Sequence, residues 1–598
     1  MQYPRKLRKG DKVAIVSLSS GMLGEDFCSH NIEIGVKRLK EYGLEPVFMP
    51  NTLKGIEYLS EHPEARASDL KEAFLDDSIA GIICAIGGDD TYRLLPYLME
   101  DEEFISAVKR NPKLFTGFSD TTINHLMFYK LGLSTCYGPT FICDLGEISD
   151  EMLPYSKKAF ESYLEGYDSG VIESSQVWYE ERKDFSRAAI GTERVAHKEE
   201  RGFELLQGKE FFKGRLLGGC LESIYDIFST HRHEDKKDMC EKYSLFPSKE
   251  EWTDKILFIE TCEEKPSPEL FEKEIKEIKD YGVFDVVSGV LVGKPQDKAY
   301  YDEYKEILIR IVDNDRLPIV YNVNFGHATP RCALQYGVMS VVDMSQKKIF
   351  MGNALEIFKN WDETLIWSCL QGVMGEIHTN TENDAAMAIL GDFAFYAGNP
   401  SEDMVRFKPE GFKQDFIIMV PQNDEWGKLI EKCYGDKARK VTRYAIKKEP
   451  EKDIFDVAKL EQAVSGLPDG YEIKMMEEAE YNMCRENGWA NDLVSQFKDY
   501  QSYSKLGLGA VILKDGELVA GASSYSVYNE GIEIEIDTRG DHRRKGLAYA
   551  CGAKLILECL QRGLYPSWDA QNKWSVALAE KLGYHFSHEY TAYEIMGY

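Results

Sequence analysis

The sequence contains no run of about 18 consecutive apolar residues, the length that a membrane-spanning helix requires. The apolar run nearest the N-terminus, at 13–18, is too short for a signal peptide. Basic residues are in the minority, since 72 Lys and Arg stand against 101 Asp and Glu, for a net charge of −29. These absences argue against a membrane and against a nucleic acid as partners, because anionic surfaces and phosphates attract basic proteins.

Paired metal-ligand and disulfide patterns are also missing. The 13 cysteines include no CxxC pair and are odd in number. Scattered cysteines of this kind are typical of free thiols in a reducing compartment, so we expect a cytoplasmic protein. His231 and His233 form an isolated HxH with only Cys240 nearby, and a zinc site would need a second ligand pair. We therefore expect a loop there and no metal.

The length of the chain indicates more than one domain, because 598 residues exceed what a single hydrophobic core organises. In the first part, apolar strands at 12–18, 45–49 and 81–86 alternate with helical segments. This order predicts an α/β domain with a parallel sheet and flanking helices. Ligands of such sheets bind beyond the carboxyl ends of the strands.

Ser119 follows one of these strand ends. Leu114–Phe118 has the pattern of a short buried strand, Gly117 allows a tight turn, and Asp120 favours the first turn of a helix that Gly132 ends. A serine at such an elbow fits two interpretations. It is either a helix cap, the commoner case, or a nucleophile whose oxyanion backbone N–H groups could hold.

Residues at three further strand ends favour the nucleophile. Gly87 and Gly88 fit a turn or a close approach of backbone N–H groups to a carbonyl, but no dinucleotide or P-loop motif. Glu260 ends a buried strand, and His327 follows another strand at 318–323. A serine, an acid and a histidine delivered to one edge of a sheet are the parts of a serine hydrolase.

Four motifs in this part resemble the LD-carboxypeptidase family of serine peptidases over roughly residues 1–355. They are GFSDTT with Ser119, IGGDDTYRLLPYL at 86–98, FIETCEEKPSPE with Glu260, and FGHATP with His327. GGDD, the tryptophan of SSQVWYEE and GRLLGGCL are more similar to the microcin-C-immunity (MccF-like) branch than to the murein-recycling branch.

This resemblance implies a role for each residue of the site and no cofactor for this domain. Ser119 would attack, His327 would pass protons, and Glu260 would orient the imidazole. Backbone N–H groups near Gly88 and Asp120 would hold the oxyanion. Asp89 and Trp178 would contact the substrate, with Trp178 stacked on the nucleobase of a peptidyl-nucleotide, although an aromatic residue in a charged loop is usually a packed anchor.

The second part, from residue 358, has a different pattern, so we expect domains at 1–357 and 358–598. Apolar strands at 506–514, 517–528 and 532–538 are joined by short turns and predict an antiparallel meander. We expect an α+β domain with a mixed, largely antiparallel sheet. The segment DHRRKGLA at 541–548 then begins a helix. A glycine and cations at a helix N-terminus suit a pyrophosphate, and a plain basic helix start explains the pattern equally well.

The segment PSWDAQNKWSVALAEKLGYHF at 566–586 completes a resemblance to the GNAT acetyltransferases, and 492–512 resembles their zwittermicin-resistance subgroup. The resemblance implies acetyl-CoA as the cofactor. Glu533 and Glu535 are both candidates for the general base. The residues implied in cofactor binding are Ile534, Ile536, Arg543, Arg544, Lys545, Gly546, Ala548 and Asn572.

The sequence thus predicts a cytoplasmic bifunctional enzyme of self-immunity or detoxification. One half would hydrolyse an amide bond of a microcin-C-like peptidyl- or aminoacyl-nucleotide, and the other would acetylate an amine. Two alternatives stay open: a muramoyl-tetrapeptide LD-carboxypeptidase of murein recycling, and a chain in which one half is a catalytically silent binding module. The expected partner is a small molecule or short peptide, and a homodimer stays open as the oligomeric state.

Overall fold

The computed structural model describes residues 1–165, 170–352, 354–380, 384–409, 411–449 and 454–598. Two compact units are present, and the chain passes from the first to the second between Leu355 and Glu356. None of the helices in these ranges is long and apolar enough to cross a membrane. All 13 cysteines lie in the described ranges, and none of them forms a disulfide.

The first sheet of unit 1 is the predicted parallel one. Its strand order is β14-β5-β4-β3-β1-β2, and only the edge strand β14 runs antiparallel. The strands are β1 (Lys12–Val16), β2 (Glu45–Phe48), β3 (Ile79–Cys84), β4 (Leu114–Gly117), β5 (Cys136–Tyr137) and β14 (Leu334–Gln335). The helices of this part are α1 (Ser29–Glu41), α2 (Ile56–Glu61), α3 (Pro63–Leu75), α4 (Leu95–Met99), α5 (Glu102–Arg110) and α6 (Thr122–Leu131).

A second, eight-stranded sheet follows in unit 1, with the order β6-β16-β15-β10-β11-β12-β13-β9 and a parallel centre from β10 to β13. Its strands are β6 (Val171–Glu173), β9 (Glu204–Gln207), β10 (Phe211–Cys220), β11 (Lys255–Glu260), β12 (Gly289–Gly293), β13 (Ile319–Val323), β15 (Met339–Asp343) and β16 (Lys348–Met351). A separate hairpin joins β7 (Val177–Tyr179) to β8 (Ala196–Lys198). The helices are α7 (Pro154–Glu161), α8 (Leu221–Phe228), α9 (Lys236–Lys242), α10 (Pro268–Tyr281) and α11 (Tyr301–Val312).

The expectation that one sheet edge delivers the serine, the acid and the histidine is wrong. Ser119 follows β4 of the first sheet, whereas Glu260 ends β11 and His327 follows β13 of the second. The central strands of both sheets are almost wholly buried, as parallel strands covered on both faces must be. Strand ends from two sheets therefore meet at one place in unit 1.

A glycine allows the close approach of the two sheets behind Ser119. A Cβ on Gly219, which has φ +142°, would lie 2.4 Å from the hydroxyl oxygen of Thr122. That hydroxyl accepts the Cys220 N–H at 2.9 Å and donates to the Ser119 carbonyl at 2.7 Å. The end of β10 is thus bound directly to the first turn of the helix behind Ser119.

Unit 2 has the mixed, largely antiparallel α+β architecture that the sequence predicts. A seven-stranded sheet has the order β17-β18-β19-β20-β28-β21-β27, and a five-stranded sheet the order β22-β23-β24-β25-β26. The strands are β17 (Glu376–Thr379), β18 (Ala385–Leu390), β19 (Phe393–Gly398), β20 (Phe416–Pro421), β21 (Ala438–Ile446), β22 (Tyr471–Met475), β23 (Gly509–Lys514), β24 (Glu517–Tyr528), β25 (Gly531–Thr538), β26 (Tyr565–Ser567), β27 (Asp569–Ala570) and β28 (Phe586–Met596).

The helices of unit 2 accompany these two sheets, and α12 (Ala354–Ile357) spans the division in the chain. They are α13 (Thr364–Leu370), α14 (Glu402–Arg406), α15 (Asp424–Tyr434), α16 (Val457–Ser465), α17 (Glu478–Glu486), α18 (Tyr500–Leu506), α19 (Leu547–Gln561) and α20 (Lys573–Leu582). The expected meander is formed by β23, β24 and β25.

The two sheets of unit 2 diverge after Glu533. Strand β25 pairs in parallel with β26 only from Gly531 to Glu533. Directly after β26, the chain enters β27, which pairs with β21 of the other sheet. The rest of β25 and β27 therefore form the two sides of a wedge.

Candidate active site

Ser119 has the backbone of a strained elbow. Its φ is +67°, a region that costs a residue with a Cβ about 1–3 kcal/mol. Phe118 before it is extended, and a short 3-10 turn leads into α6. This conformation is the geometry expected of an exposed nucleophile and differs from that of an ordinary helix cap, whose φ is negative.

A continuous hydrogen-bonded chain joins Ser119, His327 and Glu260. His327 Nε2 lies 3.0 Å from Ser119 Oγ, and Nδ1 lies 2.9 Å from Glu260 Oε2. The His327 backbone N–H also donates to Glu260 Oε2 at 3.0 Å. Gly326, at φ +78°, makes this contact feasible, because a Cβ there would lie 2.1 Å from the Glu260 carboxyl carbon.

Tyr137, at the end of β5, links Ser119 and Glu260, the two ends of this hydrogen-bonded series. Its hydroxyl accepts the Ser119 backbone N–H at 3.0 Å and donates to Glu260 Oε1 at 2.5 Å. Burial raises the pKa of Tyr137 well above its ordinary value, so the phenol keeps the proton that it donates. Sequence reasoning missed this residue, since a tyrosine in a short buried strand has the pattern of a core residue.

Glu263 provides a second carboxylate in contact with His327. Its Oε2 lies 3.0 Å from His327 Nε2, the atom that also faces Ser119. Burial opposes the imidazolium charge, but the carboxylates of Glu260 and Glu263 prevail and raise the pKa of His327 to about 10. The hydrogen bond to His327 in turn lowers the pKa of Glu263 to about 2. In this arrangement His327 holds a proton on Nε2.

The Gly87-Gly88 turn lies beside the Ser119 elbow. A Cβ on Gly87 would lie 2.7 Å from Ser119 Cβ, so only glycine permits this approach. The Asp120 carboxylate accepts the Ser19 hydroxyl at 2.7 Å and the Thr91 N–H at 2.8 Å, which fixes the turn against the elbow. In the described part of the chain, the Gly88 N–H has no hydrogen-bond partner. The predicted oxyanion donors, Gly88 and Asp120, are thus on segments bound to each other.

Of the two acids after this turn, Asp90 is structural. Both of its oxygens bind the buried Arg66 guanidinium, at 2.6 and 3.1 Å. Asp89 has a side chain that is 56% exposed and lies 3.4 Å from His233 Nε2. Asp89 is therefore the acid of GGDD that remains accessible to a substrate.

Trp178 lies on the β7–β8 hairpin and is half-buried. Its ring stacks on that of His197 with centroids 4.3 Å apart, and Lys298 Nζ lies 4.9 Å from the ring centroid. The hairpin is bound to the histidine segment, because the Tyr179 N–H donates to the Thr329 carbonyl at 2.9 Å. A flat aromatic surface with a nearby cation is thus tied to the loop that carries His327.

Cys220, Glu260 and His327 are the group of possible metal ligands found among the described residues, with donor atoms within 4.8 Å of one another. Burial raises the pKa of Cys220 well above its ordinary value, so the sulfur stays a neutral thiol. Glu260 and His327 already bind each other. The donor set therefore does not suit a cation, which needs deprotonated ligands.

The predicted coenzyme loop of unit 2 precedes α19, which begins at Leu547. Residues 543–546 are exposed, Arg544 has φ +62°, and Gly546 has φ +81° with no atom within 4 Å of a Cβ placed there. Ala548 lies in the first turn of the helix. The first N–H groups of a 15-residue helix and the side chains of Arg543 and Lys545 border open space, as anion binding requires.

The other residues implied in coenzyme binding have structural contacts. Ile534 is buried in the core of unit 2, and Ile536 packs on that core beside Gly552 of α19. The Asn572 side chain caps α20 by accepting the N–H groups of Trp574 and Ser575. Their proposed roles toward a coenzyme stay predictions.

Comparison with known proteins identifies both units. The sequence matches the family models of the LD-carboxypeptidase N-terminal domain over residues 13–138, the LD-carboxypeptidase C-terminal domain over 213–342, and GNAT acetyltransferase over 355–593. The chain therefore belongs to the LD-carboxypeptidase family in its first unit and to the GNAT acetyltransferases in its second, and both predicted resemblances are confirmed.

Three relatives show the extent of the similarity. The crystal structure of the MccF-like protein from Streptococcus pneumoniae in complex with AMP is 52% identical, with a TM-score of 0.56, and the match covers 57% of this chain and 98% of that one. The microcin C7 self-immunity protein MccF of Escherichia coli is 28% identical over 53% of this chain and 86% of its own length. The uncharacterized N-acetyltransferase YdfB of Bacillus subtilis is 24% identical over 43% of this chain and 99% of its own length.

The two carboxylates beside His327 predict how the reactivity of Ser119 depends on pH. This prediction can be tested without knowing the substrate. Ser119 is activated only when His327 is neutral, so its reactivity should increase with pH toward the pKa of about 10. Glu263→Gln removes one anion that stabilises the imidazolium, and we expect the rising limb to move about one pH unit or more toward lower pH. The measurement is the rate of Ser119 inactivation by a phosphonofluoridate as a function of pH.

Glu264→Gln is the matched control. The neighbouring carboxylate is 69% exposed and binds Arg232 at 2.8 Å, so its loss should leave the profile in place. Superimposable profiles for Glu263→Gln and the wild-type protein would show that Glu263 does not hold the proton on His327.

Proposed function

We propose that unit 1 is a serine peptidase that hydrolyses the amide bond of a peptidyl- or aminoacyl-nucleotide, with Ser119, His327 and Glu260 as its catalytic triad. The observation that carries the proposal is the hydrogen-bonded chain from Ser119 Oγ through both nitrogens of His327 to Glu260. Its geometry matches the nucleophile, base and orienting acid of serine hydrolases.

The reaction follows from these contacts. Ser119 Oγ attacks the carbonyl carbon while its proton passes to His327 Nε2, and Glu260 stabilises the imidazolium that forms. The N–H groups of Gly88 and Asp120 would hold the oxyanion. His327 then protonates the leaving nitrogen, and a water molecule activated by the same imidazole cleaves the acyl-enzyme. For the first proton transfer, Glu263 must release Nε2, so we propose that substrate binding displaces this carboxylate.

The nucleotide part of the proposal is supported by the aromatic surface of Trp178 and His197, with Lys298 as a cation for a phosphate. A nucleobase has the flat π-face that such a surface binds. The relative from Streptococcus pneumoniae is described in complex with AMP, and the relative from Escherichia coli is named a microcin C7 self-immunity protein. Asp89, which is accessible near the elbow, is a further candidate for substrate contact.

A second candidate function is the removal of the terminal residue of a murein peptide. It is favoured by a probable murein peptide carboxypeptidase of Bacillus subtilis that is 24% identical over 92% of its own length. Both reactions would use the same triad. They differ in the need for a nucleobase, and therefore in the contribution of Trp178.

For unit 2 we propose transfer of an acetyl group from acetyl-CoA to an amine, with the pyrophosphate on the 543–548 loop. The support is the open helix start with positive φ at Gly546 and the membership in the acetyltransferase family. Of the two base candidates, Glu533 is the better placed, since it stands where β25 and β26 part. Acetyl-CoA and 13 cysteines without a disulfide are both compatible with the cytoplasm.

Substitution of the triad tests the hydrolase. Ser119→Ala and His327→Ala should each lower kcat by about 10⁴ or more, because nucleophile and base act as one unit. Glu260→Gln should lose less, since the amide still orients the ring. The assay follows aminoacyl-sulfamoyl adenosines by mass spectrometry, and circular dichroism checks the fold. If Ser119→Ala kept most of the activity, the triad would be wrong.

Replacement of Trp178 separates the two substrate classes. Trp178→Ala should raise KM for an aminoacyl-sulfamoyl adenosine by roughly 5- to 150-fold, the value of one stacked base, and Trp178→Phe should restore most of the loss. Phe185→Ala, an exposed ring in the same polar segment, is the control. A murein tetrapeptide cleaved efficiently and equally by Trp178→Ala and the wild type, with no cleavage of the adenosine compounds, would instead support murein recycling.

The coenzyme loop is tested by a charge at Gly546. Gly546→Glu adds bulk and an anion where the pyrophosphate would lie, so the full-length protein should lose acetyl-CoA binding in calorimetry. Gly516→Glu is a matched control, because Gly516 has φ +80° and equally open space in the β23–β24 turn. Both variants should keep hydrolysis at Ser119. Equal acetyl-CoA affinity for the two variants would place the coenzyme elsewhere.

A further inference from the structure

A small cavity lies in the wedge between β25 and β27 of unit 2. Its volume is about 50 Å³, which suits a slender group of a few atoms. Acids and aromatic rings dominate its lining, which includes Glu363, Glu533, Glu535, Phe393, Tyr525 and Tyr590. The mixture of carboxylates and π-faces is the kind of lining that binds an ammonium group.

The one arginine of the cavity is already neutralised. Arg443 binds Asp569 at 2.6 and 2.9 Å, and Tyr590 donates to the same carboxylate at 2.8 Å. The guanidinium also lies 4.8 Å from the centre of the Phe393 ring. This closed group does not need an anionic ligand, and Arg443 opposes only part of the effect of burial on Glu535.

Glu533 lines this cavity and has an unsatisfied carboxylate oxygen. The side chain is 95% buried, and its Oε2 accepts the Thr364 hydroxyl. Its Oε1 is buried without a hydrogen-bond partner among the described residues. Buried polar atoms are nearly always paired, so an orphan carboxylate oxygen at a cavity wall indicates a ligand that donates to it.

The other two glutamates also lack a cation in the cavity. Glu363 accepts the Leu365 N–H at 3.5 Å, and Glu535 has no side-chain ion pair among the described residues. Lys448 is a cation outside the lining. Its Nζ donates to the Asp362 backbone carbonyl at 2.8 Å, lies 3.4 Å from the Asp362 carboxylate and is 4.1 Å from the Trp367 ring centroid. The cavity thus has an excess of acid that the protein does not balance.

The surroundings of these three acids favour their protonated forms. Burial, reinforced by Glu363, raises the pKa of Glu533 to about 8, and burial with Asp492 nearby raises that of Glu535 to about 7. Burial also raises the pKa of Glu363, although Lys448 opposes the shift. An entering cation would replace these protons, since a positive charge favours the ionised carboxylates.

We propose that this cavity binds the acetyl acceptor and that the acceptor is a slender aliphatic primary amine with a second protonated nitrogen, an aliphatic diamine or polyamine. The proposal rests on the acetyltransferase function of unit 2. One ammonium meets Glu533, and the second faces Glu363 and Glu535, of which one keeps its proton. A compound with a single charge leaves two of the three buried acids without a counter-charge.

The transfer step balances with these groups. The reacting ammonium gives one proton to the Glu533 carboxylate, and its freed lone pair attacks the carbonyl carbon of acetyl-CoA. The C–N bond forms, the C–S bond breaks, and the second proton of the nitrogen goes to the thiolate. The products are the N-acetyl amine and free coenzyme A, and the proton on Glu533 returns to solvent.

The test compares 1,4-diaminobutane, butylamine and an amino-acid amide as acceptors for the full-length protein, with acetylated products measured by mass spectrometry. We expect kcat/KM for the diamine to exceed that for butylamine by about 10- to 150-fold, the range of one charge-assisted contact. Glu535→Gln should make kcat/KM for the diamine similar to that for butylamine. The control Glu472→Gln removes an exposed charge from β22 of the same sheet and should leave the difference unchanged.

Calorimetry on the coenzyme-A-loaded protein provides the second measurement. Tighter binding of the diamine than of butylamine, lost in Glu535→Gln, supports the proposal even if turnover is slow. Acetylation of butylamine or the amino-acid amide as fast as the diamine would overturn the diamine class and leave the acetyltransferase function intact. Acetyl-CoA binding without transfer to any of the amines would contradict that function, and equal weak binding of both amines would overturn the diamine site.

Discussion

The hydrogen-bonded position of His327 is the constraint on which the arrangement of unit 1 depends. Its two ring nitrogens contact Ser119 and Glu260, and these residues are delivered by different sheets. The ring can bridge them only if the carboxyl ends of β4, β11 and β13 meet within a few ångströms. Two contacts behind the site hold these strand ends together. Gly219 has no side chain and so allows Thr122 to pack against it, and Tyr137 hydrogen-bonds to both Ser119 and Glu260.

Local features of this site were predictable because they depend on adjacent residues. A buried strand, a glycine and a run of helix-starting residues placed Ser119 at an elbow, and φ of +67° agrees with that prediction. Glu260 was correctly placed at the end of a strand, and His327 after one, for the same reason. Their common sheet edge was predicted wrongly, because β1, β3, β11 and β13 are all short apolar strands, and such runs do not show which sheet each one joins.

The missed residues share a physical cause. Tyr137 is a member of a two-residue strand, where a phenol is indistinguishable from core packing until its hydroxyl has partners in space. Glu263 belongs to a charged loop segment, and its contact with His327 depends on the path of that loop after β11. In unit 2, the antiparallel meander was visible in the turns, but the wedge after Glu533 depends on β27 pairing with a distant strand.

Two buried glutamates show how the same side chain serves opposite purposes. Glu260 ends its strand with three donors from the protein, the N–H and imidazole of His327 and the Tyr137 hydroxyl, so its charge is compensated before a substrate arrives. Glu533 has one donor, Thr364, and an orphan oxygen. Burial of an uncompensated carboxylate destabilises a fold, and such a group is retained where a ligand completes it. In the proposed triad the satisfied acid therefore positions the histidine within the protein, and in the proposed acceptor site the unsatisfied acid awaits a cation from outside it.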